Sequence, residues 1–142
     1  MATSNAATNY LERRILDFIF KNNALSFASP GNSLYVGLAT AVSAAETGSL
    51  TEATFTNYAR KQVTAANWTT IGADSTDTQT AKNAANIEFA ASGGTNNTIS
   101  HVFVADASTG GNILFVGALD VSKLIADGDI FRINTGNLTI EL

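Results

Sequence analysis

One histidine and no cysteine stand in this sequence, and that limits the available chemistry from the start. His101 falls between Ile99 and Phe103 in an alternating stretch. A catalytic dyad needs a base beside a nucleophile and a third group to orient the base. No Gly-x-Ser-x-Gly elbow supplies the nucleophile. His101 therefore reads as a buried or interfacial side chain with one hydrogen-bond partner, and no catalytic residue is assigned. A single His without Cys also argues against zinc and copper. Two acidic stretches, Asp74 to Asp77 and Asp127-Gly128-Asp129, are the calcium candidates. The first lacks the EF-hand spacing, and the second is too short to give six oxygens and reads as a turn. Gly93-Gly94 and Gly110-Gly111 precede no Lys-Ser/Thr and open no helix, so they are not phosphate loops. No metal and no cofactor is expected.

The surface chemistry points elsewhere. Charged residues are only 14% of the chain, against roughly 25% in ordinary soluble proteins. Thr, Ser and Asn must then build the polar surface, and such a surface costs less to desolvate in an assembly. The net charge of −4 leaves no electrostatic footprint for nucleic acid. No apolar run reaches the roughly 18 residues of a membrane span. The opening Met1-Ala2-Thr3-Ser4-Asn5 lacks the basic-then-apolar order of a signal peptide. The expectation is synthesis in the cytosol, with no nucleic-acid and no membrane partner.

The elements that position these residues follow from hydrophobic period. Residues 1–9 are small and polar and read as a flexible arm. Leu11, Ile15, Phe18 and Ile19 recur at helical spacing, widened by Leu16 and Phe20. This predicts an amphipathic helix over 10–21, capped by Asn9 with Glu12 three residues on, whose apolar face must cover something. The period then changes to two. Strands are expected over Ser33–Thr40, Tyr58–Thr64, Asn86–Ala90, Thr98–Ala105, Asn112–Leu119, Asp129–Asn134 and Asn137–Leu142. Ala41–Phe55 reads as a long loop, and Trp68–Ala85 as a loop or weak edge strand. Along the Thr98 strand, Ile99, His101, Phe103 and Ala105 are expected on one face, Val102 and Val104 on the other. Short strands with turns at this spacing predict a single mainly β domain over 10–142, an antiparallel β-sandwich or jelly roll with one N-terminal helix.

Three local readings carry physical content. Gly37 lies mid-strand, where glycine weakens a strand unless something approaches closely. Arg60 is placed to pair with Glu52, internally or across an interface. Gly110-Gly111 supplies the positive φ that a tight hairpin needs. Contacts to other molecules are then expected from the arm and the loops: Asn5, Thr8, Trp68, Ile71, Asn96 and Asn97. For Trp68 a contact hot spot and a plug at one end of the sandwich are weighed equally.

Several blocks, in order, carry a likeness. They are Tyr10-Leu11-Glu12 through Phe20; Tyr35-Val36-Gly37-Leu38-Ala39-Thr40; Thr51-Glu52 with Tyr58-Ala59-Arg60-Lys61-Gln62-Val63-Thr64; Ile87-Glu88-Phe89; Thr98-Ile99-Ser100-His101-Val102; Asp106 to Leu119; Gly128-Asp129; and Leu138-Thr139-Ile140. The chain resembles a family of small virion structural proteins of tailed bacteriophages, tail-fibre-like or head-decoration-like. It departs from that pattern at Asn96-Asn97, where many relatives carry Trp-Gly, and in a longer 68–85 loop. The resemblance implies a non-enzymatic role in the virion. Its implied partners are copies of itself, as a homo-oligomer and most simply a homotrimer, and the major capsid protein or other virion proteins. Small size, few charges and the lack of repeats favour a capsid decoration (cement) protein on the head over a tail or tail-fibre component.

Overall fold

The computed structural model describes residues 6–25, 34–69 and 79–141. The chain enters as a two-residue strand, β1 (Ala6–Ala7), and passes directly into the helix α1 (Asn9–Lys21). The nine further strands, in chain order, are β2 (Leu34–Ala44), β3 (Ser49–Glu52), β4 (Lys61–Val63), β5 (Thr80–Lys82), β6 (Ile87–Glu88), β7 (Asn97–Ala105), β8 (Ile113–Ile125), β9 (Arg132–Ile133) and β10 (Thr139–Glu141). All pairings among the described residues are antiparallel. The mainly β architecture with an N-terminal helix is therefore as the period predicted.

The helix is capped one residue earlier than expected. Thr8, not Asn9, is extended (φ −80°, ψ 153°) and its Oγ1 accepts from Leu11 N at 3.4 Å. Thr8 wins because the same hydroxyl donates to Ile113 O at 2.6 Å, while its own N–H donates to Leu114 O at 2.9 Å. A cap that also belongs to the sheet edge stabilises two elements at once. The arm expected over 1–9 is thereby corrected from Ala6 onward, because Ala6 and Ala7 pair with Val116 and Phe115. Residues 1–5 lie outside the described residues. The helix stops at Asn22, which takes a left-handed conformation (φ 55°) that Asn tolerates better than most residues.

The main sheet runs β1-β8-β7-β2-β3, and β4 lies beside β3 on the same edge of β2. The expected loop over 41–55 is instead a hairpin. β2 continues to Ala44, a 3-10 turn (Ala45–Thr47) follows, and β3 returns. Small residues hid the alternation there, yet Val42 and Leu50 pack inward. Conversely, the strand expected over 58–64 shrinks to Lys61–Val63, because Tyr58 and Arg60 leave the ladder for side-chain bonds. In the 68–85 stretch, Thr80–Lys82 pairs with β10, and residues 70–78 lie outside the described residues.

Two hydrophobic clusters lie on opposite faces of this sheet. The larger joins Val36, Leu38, Ile99 and Val102 of the sheet to Phe55, Phe89 and Phe131, roofed by the β6–β9 ladder through Ile87 and Ile133. The sheet and this roof make two layers. The smaller cluster holds Ala39, Phe103, Ala105 and Val116. Ile99 was expected beside Phe103 and is found on the opposite face. The ladder to β8 breaks between Ile99 and His101, where Ser100 of β7 faces four residues of β8, and the phase of β7 changes across the break. Ser100 Oγ donates to Thr40 O at 3.0 Å and so fixes the bulge to β2.

Candidate functional site

The densest polar arrangement starts from a glycine. A Cβ on Gly37 would stand 2.2 Å from Phe103 Cζ, so the end of the ring presses against the β2 backbone. The Arg60 guanidinium sits over that ring, 5.0 Å from its centroid. Glu52 takes the guanidinium in a fork, Nε to Oε1 and Nη2 to Oε2, both at 2.8 Å. The remaining nitrogen, Nη1, donates to Ala107 O and Gly110 O, each at 2.8 Å. Those carbonyls belong to the β7–β8 loop. Asp106 closes that loop by accepting from Asn112 N and Nδ2, and Gly110 and Gly111 turn it at φ 58° and 70°. The Arg60–Glu52 pair is thus internal, and it ties the β3 and β4 region to a hairpin loop almost fifty residues away.

Tyr58 completes the arrangement from the other face. Its ring packs 5.3 Å from Phe55 and 6.1 Å from Phe89 in the larger core. Its hydroxyl donates to Glu52 Oε1 at 2.8 Å and accepts from Leu38 N at 3.0 Å. That amide faces the gap where β4 has ended and β3 has not begun, so the phenol fills a missing rung of the ladder. The electrostatics fit a fixed clasp. Burial raises the Glu52 carboxyl, but the hydrogen bonds from Arg60 and Tyr58 and the Arg60 charge outweigh it, leaving Glu52 below its usual range. Burial, and then the bond to Glu52, raise the Tyr58 phenol despite its bond from Leu38. The Arg60 hydrogen bond to Glu52 raises the guanidinium further. Every group is held in one charge state, which suits a structural tie and no proton transfer.

His101 makes the one contact expected of it. Its Nδ1 lies 2.7 Å from Ser100 Oγ, and burial lowers its pKa. Ser100 Oγ donates to Thr40 O of β2, so its proton is directed at the sheet rather than at the imidazole. Among the described residues no cluster of three or more His, Cys, Asp or Glu side chains is placed to hold a metal. Asp129 of the Asp127-Gly128-Asp129 turn spends Oδ2 on Ala126 N. Asp74 and Asp77 lie outside the described residues. A groove of about 620 Å³ between β8 and β10 is lined by Phe115, Leu119, Leu138 and Ile140, and Glu141 is its only ionisable lining residue.

The residues expected to make contacts do not form one surface. Thr8 is buried and engaged as described. Trp68 is half-buried and packs against the larger core, with a bridge to Asn83. Asn97 Oδ1 accepts from Thr54 N at 2.6 Å and Phe55 N at 2.9 Å, a structural cap. Asn96 is exposed; Asn5 and Ile71 lie outside the described residues. The sequence reading missed two features. Buried Asn83 binds Ala85 O, Asn134 O and Leu138 N through its side chain, and nothing in its Thr-rich surroundings announced that. The second is α1. Its apolar stripe was expected to cover something, yet Leu11 is its only buried residue, while Leu16, Phe18, Ile19 and Phe20 stand exposed.

Internal polar ties hold this domain, and among the described residues the later turns of α1 leave Leu16, Phe18, Ile19 and Phe20 exposed. A family model described as podophage GP4 fiber I protein gp80 matches residues 6–141, nearly the whole chain. The protein is a virion structural protein of a tailed phage. It belongs to the family of podophage GP4 fiber I protein gp80. No curated protein matches the chain.

Proposed function

We propose that the chain is a structural subunit of the fibre apparatus on a phage tail, without enzymatic activity, that works by packing against copies of itself and neighbouring virion proteins. The family match carries this reading, since the matched model is described as a fiber protein and spans both the helix and the β-domain. The sequence alone leaned toward a head decoration protein; the fiber description moves the weight to the tail. The saturated clasp supports a packing role, because its charged groups are spent on internal bonds rather than aimed at solvent. Labelling the protein on intact particles and imaging them tests the location. Label confined to the tail is the expected outcome. Label spread over the capsid lattice would replace the fibre reading with the decoration reading.

A further inference from the structure

We propose that Asp127-Gly128 is a site of spontaneous aspartate isomerisation, and that the Ser92 carbonyl is the latch that holds it closed in the folded chain. The site acts wherever the protein sits in the particle. It is the one place in the sequence where Asp or Asn precedes Gly. Glycine has no Cβ, so its amide nitrogen can approach the preceding side-chain carbonyl carbon closely. The reaction needs no partner. Gly128 N attacks Asp127 Cγ, the new N–Cγ bond closes a succinimide ring, and the amide proton leaves with a carboxyl hydroxyl as water. Water then returns to either ring carbonyl. Addition at Cγ restores Asp127. Addition at the main-chain carbonyl carbon breaks its bond to Gly128 N, and the backbone thereafter runs through Cβ and Cγ, longer by a methylene. No oxidant or reductant is consumed.

The fold exposes the reactants and withholds the geometry. Asp127 and Gly128 are both exposed, in the turn between β8 and β9. Asp129 N donates to Ala126 O at 3.0 Å and closes a β-turn, in which Gly128 takes φ 82° while the φ of Asp127 is not positive. That is a type II turn, with ψ of about +120° at the position Asp127 fills. Ring closure requires Asp127 Cβ and Gly128 N to eclipse about the Cα–C bond, and this turn holds them apart. Reaching the eclipsed form swings the Gly128 N–H, which already donates to Ser92 O at 2.7 Å. Ser92 is only 3% exposed, and its own N–H donates to Asp129 O at 2.8 Å, so a pair of backbone bonds holds the turn. Two side chains brace it. Ser92 Oγ donates to Gly94 O at 3.0 Å, and Asp129 Oδ2 accepts from Ala126 N at 2.9 Å. Reaction therefore waits for the turn to open locally, and its rate follows the open fraction. The added methylene puts the bond pair out of register, so the latch does not re-form. A virion component is not resynthesised after release, and the product accumulates.

The test compares the full chain warmed at neutral pH below its melting temperature with the same chain held unfolded in urea. Peptide mapping with isoaspartyl methyltransferase labelling reads the product. The unfolded chain is expected to gain isoaspartate at Asp127 before any other position, and the folded chain at least roughly tenfold more slowly. Asp127→Glu, whose longer side chain closes a larger ring far more slowly, is expected to abolish the label there in both states. Asp129→Ala and Ser92→Ala each remove a brace and leave the reacting atoms in place. They are expected to raise the folded rate severalfold, to raise hydrogen exchange of the Gly128 amide by the same factor, and to leave the unfolded rate unchanged. The proposal is overturned by equal rates in the folded and unfolded chain, by an unfolded chain that labels first elsewhere, or by a folded rate that neither variant raises. It is equally overturned by a rate that rises only in step with global unfolding, because the opening would then be that of the whole domain and not of the latch.

Discussion

At the scale of single residues, the molecule is organised by Gly37. The Phe103 ring occupies the space where any other residue would carry its Cβ, and Arg60 rests on that ring. Gly37→Ala should therefore displace the ring and loosen the guanidinium together, at a cost of about 3 kcal/mol, the upper part of the range for overpacking. Urea denaturation measures this, and a Gly37→Ala, Phe103→Leu double variant should recover part of the loss, since the two sites are coupled. The close approach was legible because a glycine inside a good strand needs a reason, and the Arg60–Glu52 pair was legible from charge. The role of Tyr58 was not, because it depends on a gap between β3 and β4 that no local pattern encodes. Glu52 also sets an acid limit. Its folded-state pKa is lowered, so the unfolded chain binds more protons. Its contribution is fully present above its ordinary value of about 4.5 and is lost as pH falls through the lower folded value. Stability measured from pH 6 down to pH 3 should decline, and Glu52→Gln should flatten that decline while lowering stability at pH 6.

At the scale of elements, α1 and its cap show how local and long-range demands combine. The helical period was clear in the sequence, but its cap was chosen by the sheet, since Thr8 bonds both Leu11 N and Ile113 O. Thr8→Ala should cost about 1–2 kcal/mol, and Thr8→Ser should restore most of it by keeping the hydroxyl. Thermal melts of the two variants decide the point. The strands were legible where large apolar residues alternate, as along β7, and illegible where alanine and serine carry the pattern, as from Ala41 to Ala44. Even β7 was read one step out of phase at Ile99. A period-two rule has no way to see a bulge whose cause, the Ser100 bond to β2, is sixty residues distant.

At the scale of the whole molecule, the two-layer β-body and the helix divide the work. The body spends its polar groups internally, through the Arg60 clasp and the Asn83 bonds, and offers a quiet Thr- and Asn-rich exterior. The helix carries exposed apolar surface at Leu16, Phe18, Ile19 and Phe20. Composition made the assembly character legible, through few charges and no reactive residues. It did not reveal the surface, because an amphipathic stripe looks the same whether it lies on its own domain or on a neighbour. The mooring of α1 has one more consequence. Among the described residues, Ala6, Ala7 and Thr8 join the helix to the edge of β8 through backbone and hydroxyl bonds. Any tension handed along the helix must cross that three-residue joint before it reaches the sheet. Pulling on the helix should therefore free that joint first, with a lengthening of roughly 10 Å for three residues, before the body yields, which single-molecule force extension would read.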